Sequence, residues 1–159
     1  MSNLILRNRK ALVSQLYDYL NRYDFETAAA LVLSRNTNDY LAHWQDVRKT
    51  FPDMSVEPLE MIADDERIVV RSLFSGTHRG IATLPHHGSL LVGAKATGRA
   101  VSVSQIHIYQ VVASKLVELH VVRDDSSLYQ QLKLLPNSLL EKLERVTEFG
   151  YPDLSLVAR

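Results

Sequence analysis

Apolar residues recur along this chain with two different periods. Leu12, Leu16, Tyr19, Leu20 and Tyr23 fall at three- and four-residue spacing, which predicts one helical stripe. Asp24 then fits an N-cap for a short alanine-rich helix over Phe25 to Leu33. Asp39 fits a cap for a third helix, in which Leu41, Trp44, Val47 and Phe51 share a face before Pro52 stops it. From Met54 the period shortens. Met54 to Ala63 alternates loosely, Asp64, Asp65 and Glu66 make an acidic turn, and Arg67 to Thr77 reads as a strand through Val69, Val70, Leu73 and Phe74. A loop over 78–98 leads to a strand from Val101 to Val112 and, across Ala113-Ser114, to another from Lys115. Helices grouped ahead of strands joined by short turns predict an α+β architecture with an antiparallel sheet. The Ala113-Ser114 pair lacks the Asn-Gly or Asp-Gly chemistry that two-residue hairpins prefer.

The stretch from Lys115 to Leu132 stands apart. It opens as a strand with Leu116, Val117, Leu119, Val121 and Val122, breaks at Asp124-Asp125-Ser126-Ser127, and resumes with helical spacing through Leu128, Leu132 and Leu135. Strict alternation along a strand puts Glu118, His120, Val122 and Asp124 on one face. An imidazole and two carboxylates on one strand face are unusual for a core and suit a site. Further on, Ser138 and Glu141 form a capping-box pattern, and Leu139, Leu140, Leu143 and Val146 predict an apolar helical stripe. The expected organisation is one domain over 1–135 with a helical extension over 136–159 packed on it.

Charge and composition narrow the chemistry. The 18 basic and 18 acidic residues cancel, so no global field favours nucleic acid or an anionic membrane. With no cysteine, disulfides, zinc–thiolate sites and thiol nucleophiles drop out. The N-terminal segment has no long apolar run, which argues against a signal peptide or a membrane span and fits a cytoplasmic protein. His86 and His87 lack a nearby third ligand, so no metal site is expected there.

The segments FPDMSV (51–56), IADDERIVVRSLFSGTHRG (62–80), ATGRAVSV (96–103), IHIYQV (106–111) and KLVELHVVRDDSSLYQQL (115–132) appear in an order that resembles the SnoaL-like polyketide cyclases of the nuclear transport factor 2-like superfamily. The resemblance covers roughly residues 10 to 135. It implies a cone-shaped α+β barrel, a curved antiparallel sheet closed by the N-terminal helices around an apolar cavity. It also implies a homodimer, no cofactor, and intramolecular aldol closure of a hydrophobic keto ester. On that resemblance Asp124 takes the acid/base position, with His120 as its partner. The chain departs from the family pattern at Leu119-His120, where the family has His-Trp. It departs again at Lys95 to Gly98, where the family has Pro-Pro-Thr-Gly, and in an expanded loop over 85–95.

Such a reaction needs a base for an acidic C–H proton and donors for the developing enolate and alkoxide. A carboxylate normally titrates at about 4, and burial in an apolar cavity raises that value and makes it a better base. Arg71, His78 and His107 are candidates for holding the oxyanion or a carbonyl, and Trp44 and Tyr19 for lining the cavity. Other readings of the same residues stand beside these. Asp124 or Asp125 also fits an N-cap for the helix near Ser127, and Arg71 an ion pair with Glu57, Glu60 or Glu118. A binding or dimerisation module without catalysis, and other acid/base chemistry such as isomerisation or epoxide hydrolysis, are the alternative functions.

Overall fold

The computed structural model describes residues 3–34, 36–85 and 89–135. The expected C-terminal extension over 136–159 lies outside the described residues. Three helices come first: α1 (Asn3–Asn21), α2 (Phe25–Leu31) and α3 (Thr37–Thr50). Four strands follow, β1 (Ser55–Ala63), β2 (Arg67–Thr77), β3 (Ala100–Val112) and β4 (Lys115–Arg123), and a last helix, α4 (Asp125–Leu132), closes the described segment. The strands form one antiparallel sheet in the order β1-β2-β3-β4, so the described sheet curves without closing into a barrel.

Each boundary has a local cause. The Asp24 side chain accepts a hydrogen bond from Thr27 N at 3.1 Å and starts α2. The cap of α3 is Asn36, whose Oδ1 accepts from Asn38 N, while Asp39 lies in the first turn, where a negative charge favours the helix dipole. The Ala113-Ser114 pair makes the two-residue hairpin turn with φ of 48° and 61°. Both residues thus adopt the left-handed conformation that a type I′ turn demands.

The inner sheet face carries Val56 from β1, Ile68, Val70, Ser72 and Phe74 from β2, and Val101, Val103 and Tyr109 from β3, all buried. Val13, Leu16, Tyr17 and Leu20 of α1 pack against it in one core. An amide clip fixes α1 on the sheet: Asn21 Oδ1 accepts from Val56 N at 2.7 Å and Nδ2 donates to Val56 O at 2.9 Å. The loop after β2 is tied to α3 by Asp46, a buried carboxylate that accepts from Thr83 N, Thr83 Oγ1 and Leu84 N.

Two irregularities shape the sheet. Leu59 in β1 and Leu119 in β4 are extra residues with no counterpart across the ladder, between Pro58↔Ser72 and Glu60↔Arg71 in one case, and between Glu118↔Tyr109 and His120↔Ile108 in the other. Each is a β-bulge, which bends its strand and increases the local twist.

Candidate functional site

The bulge at Leu119 decides which side chains of β4 face inward. Residues paired across an antiparallel ladder share a face, and on β3 the inner face carries Gln105, His107 and Tyr109. Before the bulge Glu118 pairs with Tyr109; after it Val121 pairs with His107 and Arg123 with Gln105. The inward set of β4 is therefore Leu116, Glu118, Val121 and Arg123. His120 pairs with Ile108 and Val122 with Ile106, on the outer face. Strict alternation had joined Glu118, His120, Val122 and Asp124 on one face; the extra residue separates them.

Between this wall and the helices lies a cavity of about 640 Å³. Helix α3 lines it with Tyr40, Trp44 and Val47, which helical spacing puts on one side, and α1 with Leu16, Tyr17 and Leu20. Asp39, His43 and Arg123 supply further polar lining.

The chemistry concentrates on β3 and β4. His107 Nδ1 lies 2.6 Å from Glu118 Oε1, and His107 Nε2 lies 3.0 Å from Gln105 Oε1. With an oxygen at each ring nitrogen, the arrangement as it stands satisfies an imidazolium that donates both N–H groups. A neutral ring is equally satisfied if the Gln105 amide turns to offer its NH₂. Tyr109 stacks parallel to the imidazole at 5.9 Å and Tyr17 meets it edge-on at 6.4 Å, so the ring is held on several sides. The His107 side chain is 12% exposed and that of Glu118 40%, which leaves the carboxylate as the accessible member of the pair. Tyr17, Tyr40 and Tyr109 line the same cavity as Glu118. Burial pushes all three hydroxyls above their ordinary titration range, and the Glu118 charge pushes each in the same direction. They remain neutral O–H donors near a fixed carboxylate.

A model of the SnoaL-like polyketide cyclases matches residues 10–132. The chain belongs to that family. Solved structures with the same fold include AclR from Streptomyces galilaeus, a provisionally named hydroxylase (22% identity, TM-score 0.69, covering 82% of this chain and 99% of that one). TsrD from Streptomyces laurentii is 18% identical, with a TM-score of 0.69 over 85% and 99% of the two chains. A SnoaL-like polyketide cyclase from Agrobacterium tumefaciens is 18% identical, with a TM-score of 0.61 over 76% and 94%. No curated protein sequence matches the chain.

In this SnoaL-like chain the segments that carry the family pattern mostly build the frame. Asp53 of the Phe-Pro-Asp segment accepts from Thr77 N at 2.7 Å and Thr77 Oγ1 at 2.6 Å, joining it to the Gly-Thr-His segment. Phe51 packs against Phe74 and His78, and a Cβ at Gly76 would stand 3.0 Å from Phe51 Cβ, so only glycine fits without displacement. His78 is buried outside the cavity, accepting from Thr97 N at its Nδ1, and burial holds its imidazole below the usual range.

Asp124 caps α4, its carboxylate accepting from Ser127 N at 2.9 Å, and it is exposed and absent from the cavity lining. Arg71 lies on the outer face and pairs with Glu60 at 3.5 Å, both side chains about half exposed. Tyr19 of α1 packs against the core without reaching the cavity, whereas Trp44 and His107 line it. Of the expected site residues, the cavity thus brings together His107 and Trp44. It adds Glu118, which the sequence placed on a candidate face without a role, and Gln105, Tyr40 and Arg123, which sequence reasoning did not assign to the site. The signal for Gln105 was present: with His107 it is polar at alternate positions of a strand whose other inward residues are apolar. Among the described residues, no group of three or more His, Cys, Asp or Glu is arranged to hold a metal ion, and no helix is long and apolar enough to cross a membrane.

Proposed function

We propose that the chain is an acid/base enzyme acting on a hydrophobic carbonyl compound, with Glu118 as the proton-transfer group and His107 as the partner that orients it. The observation that carries this reading is the 2.6 Å Glu118–His107 contact on the wall of the cavity. The carboxylate removes a proton from the carbon beside a substrate carbonyl, and Tyr40, held neutral by burial, donates to the enolate oxygen. The enolate carbon adds to a second carbonyl of the same molecule, and the resulting alkoxide takes the proton back from Glu118. Atoms and charge balance without a co-reactant. A carboxylate serves such enolisations even with a modestly raised pKa when a neutral oxyanion donor stands opposite. This keeps the carboxylate-plus-imidazole chemistry expected from the family but moves it from Asp124 and His120 to the pair on the cavity wall.

The test is hydrogen–deuterium exchange at the carbon beside the carbonyl of aryl ketone probes, followed by NMR. Glu118→Gln keeps the hydrogen bond to His107 and removes the base, so catalysed exchange should fall by about 10²–10⁴-fold. A folded Glu118→Gln variant that exchanges the probe at the wild-type rate would sink the assignment. A second reading, a small-molecule-binding module without catalysis, is favoured by one observation: the Asp124 carboxylate is engaged with a backbone N–H. Retention of the probe with no exchange by the wild-type chain would select it.

Self-association through the outer sheet face is part of the same proposal. Ile62 is 61% and Val122 67% exposed there, with Val69, Ile106 and Ile108 between them on neighbouring strands. Sedimentation should give a dimer that Val122→Arg dissociates; a wild-type monomer at micromolar concentration overturns it.

A further inference from the structure

We propose that Arg123 receives a carboxylate of the substrate, so that the cavity takes an extended keto acid in preference to its ester. The inference rests on reading the cavity as a substrate site, and it assigns that site's second anchor.

Arg123 is on the inner face at the end of β4, opposite Gln105, and lines the cavity. Its side chain is 24% exposed, so the guanidinium has given up much of its hydration. A cation in that position needs oxygen partners for its five N–H donors. Asp125 supplies only part of this. Nε lies 3.4 Å from Asp125 Oδ1 and Nη2 3.5 Å from Oδ2. Both contacts are longer than the roughly 2.7–2.9 Å of a tight charge-assisted pair. Asp125 thus holds one edge of the guanidinium loosely and steers it without saturating it. The carboxylates that line the cavity are Glu118, engaged with His107, and Asp39 in the first turn of α3.

The spacing sets the shape of the ligand. Gln105, opposite Arg123, is two residues from His107 and four from Tyr109, which stands opposite Glu118. At about 3.3 Å per residue the two charged ends of the wall are roughly 7 to 13 Å apart, depending on how far the side chains lean together. A carboxylate bound by Arg123 therefore belongs at the far end of the molecule from the carbon that meets Glu118. Val121 and its cross-strand neighbour His107 lie between the two, facing the body of the ligand. An elongated aromatic or polyketone acid has this outline; an ester offers the guanidinium only a neutral carbonyl.

The experiment compares 6-acetyl-2-naphthoic acid, which carries a ketone and a carboxylate at opposite ends, with its methyl ester, by calorimetric titration of the full chain. The wild type should bind the acid at least about tenfold more tightly than the ester. Arg123→Gln should abolish that preference while leaving ester affinity within about twofold. Arg123→Lys should keep part of the preference, because it keeps the charge without the fork. Asp125→Asn should strengthen acid binding by removing the competing carboxylate. Equal affinities in the wild type, a preference that survives Arg123→Gln, or binding of neither probe overturns the proposal. Repeating the titration in Glu118→Gln separates this inference from the proposed reaction. An intact acid preference there, with exchange unaffected by the substitution, defeats the Glu118 mechanism and leaves Arg123 standing. Loss of the preference in Arg123→Gln but not in Glu118→Gln, with exchange abolished in Glu118→Gln, supports both.

Discussion

Asp124 offers the sharpest test, because a helix cap and a proton-transfer group respond oppositely to two similar substitutions. Its carboxylate accepts from Ser127 N at 2.9 Å at the start of α4 and is exposed. Asparagine caps helices about as well as aspartate, so Asp124→Asn keeps the hydrogen bond and loses only the charge–dipole part, about 0.3 kcal/mol at an exposed position. Asp124→Ala removes the acceptor and leaves the Ser127 N–H to water, at a cost of about 1 kcal/mol. For a chain of this size that lowers Tm by roughly 2–4 °C. Thermal denaturation followed by circular dichroism resolves such a difference, and ketone exchange reports catalysis in the same samples. The expected pattern is a wild-type Tm for Asn, a lowered Tm for Ala, and wild-type exchange in both. A fully stable Asp124→Asn whose exchange falls by about a hundredfold or more would refute the capping argument and return the acid/base role to this residue.

Two further outcomes follow from the backbone and from burial. Ala113 and Ser114 both sit at positive φ, where non-glycine residues are strained by about 1 kcal/mol each. Replacing them with Asn-Gly should stabilise the chain by roughly 1 kcal/mol after the entropy cost of glycine, and an unchanged urea midpoint would show that the turn is not strained. His78 has a folded-state pKa held below its unfolded value of about 6.5, so the unfolded chain binds the extra proton. Its contribution to stability is therefore complete above about pH 6.5 and is lost as the pH falls below that value toward the folded pKa. His78→Asn should flatten the fall in Tm between pH 7.5 and 5.5, and an undiminished slope would assign the effect elsewhere.

The helices and strands were legible because their apolar residues keep a regular period. The stripe of α1, the Asp24 cap and the full extent of β2 needed nothing beyond local sequence. The α3 cap was misplaced because Asn36 and Asp39 are both good capping residues three positions apart, and only the extended backbone at Asn36 distinguishes them. The site was harder to read for a specific reason. Alternation is a phase, and one additional residue reverses it for everything downstream. Nothing about Leu119 as a residue type marks it as a bulge, since leucine suits either face. His120 and Glu118 thus looked like neighbours, whereas Glu118 meets His107, a residue of the adjacent strand. Trp44 and His107 face the cavity as regular periodicity predicts, because their positions on α3 and β3 lie in segments free of such interruptions.

The open sheet leaves two rims, and they are unequal. At the β1 rim Pro58 has no N–H to offer a further strand, and the bulge at Leu59 breaks the ladder beside it. At the β4 rim Leu33 N donates to Leu116 O at 2.7 Å, so the segment after α2 already occupies the beginning of the strand, and Leu119 disrupts its middle. Neither rim presents a long, flat row of free backbone groups. Copies of this chain are thereby discouraged from extending one another's sheets into fibres. The bulge that aims Glu118 and Arg123 at the cavity also keeps the outer margin of the protein from templating its own aggregation.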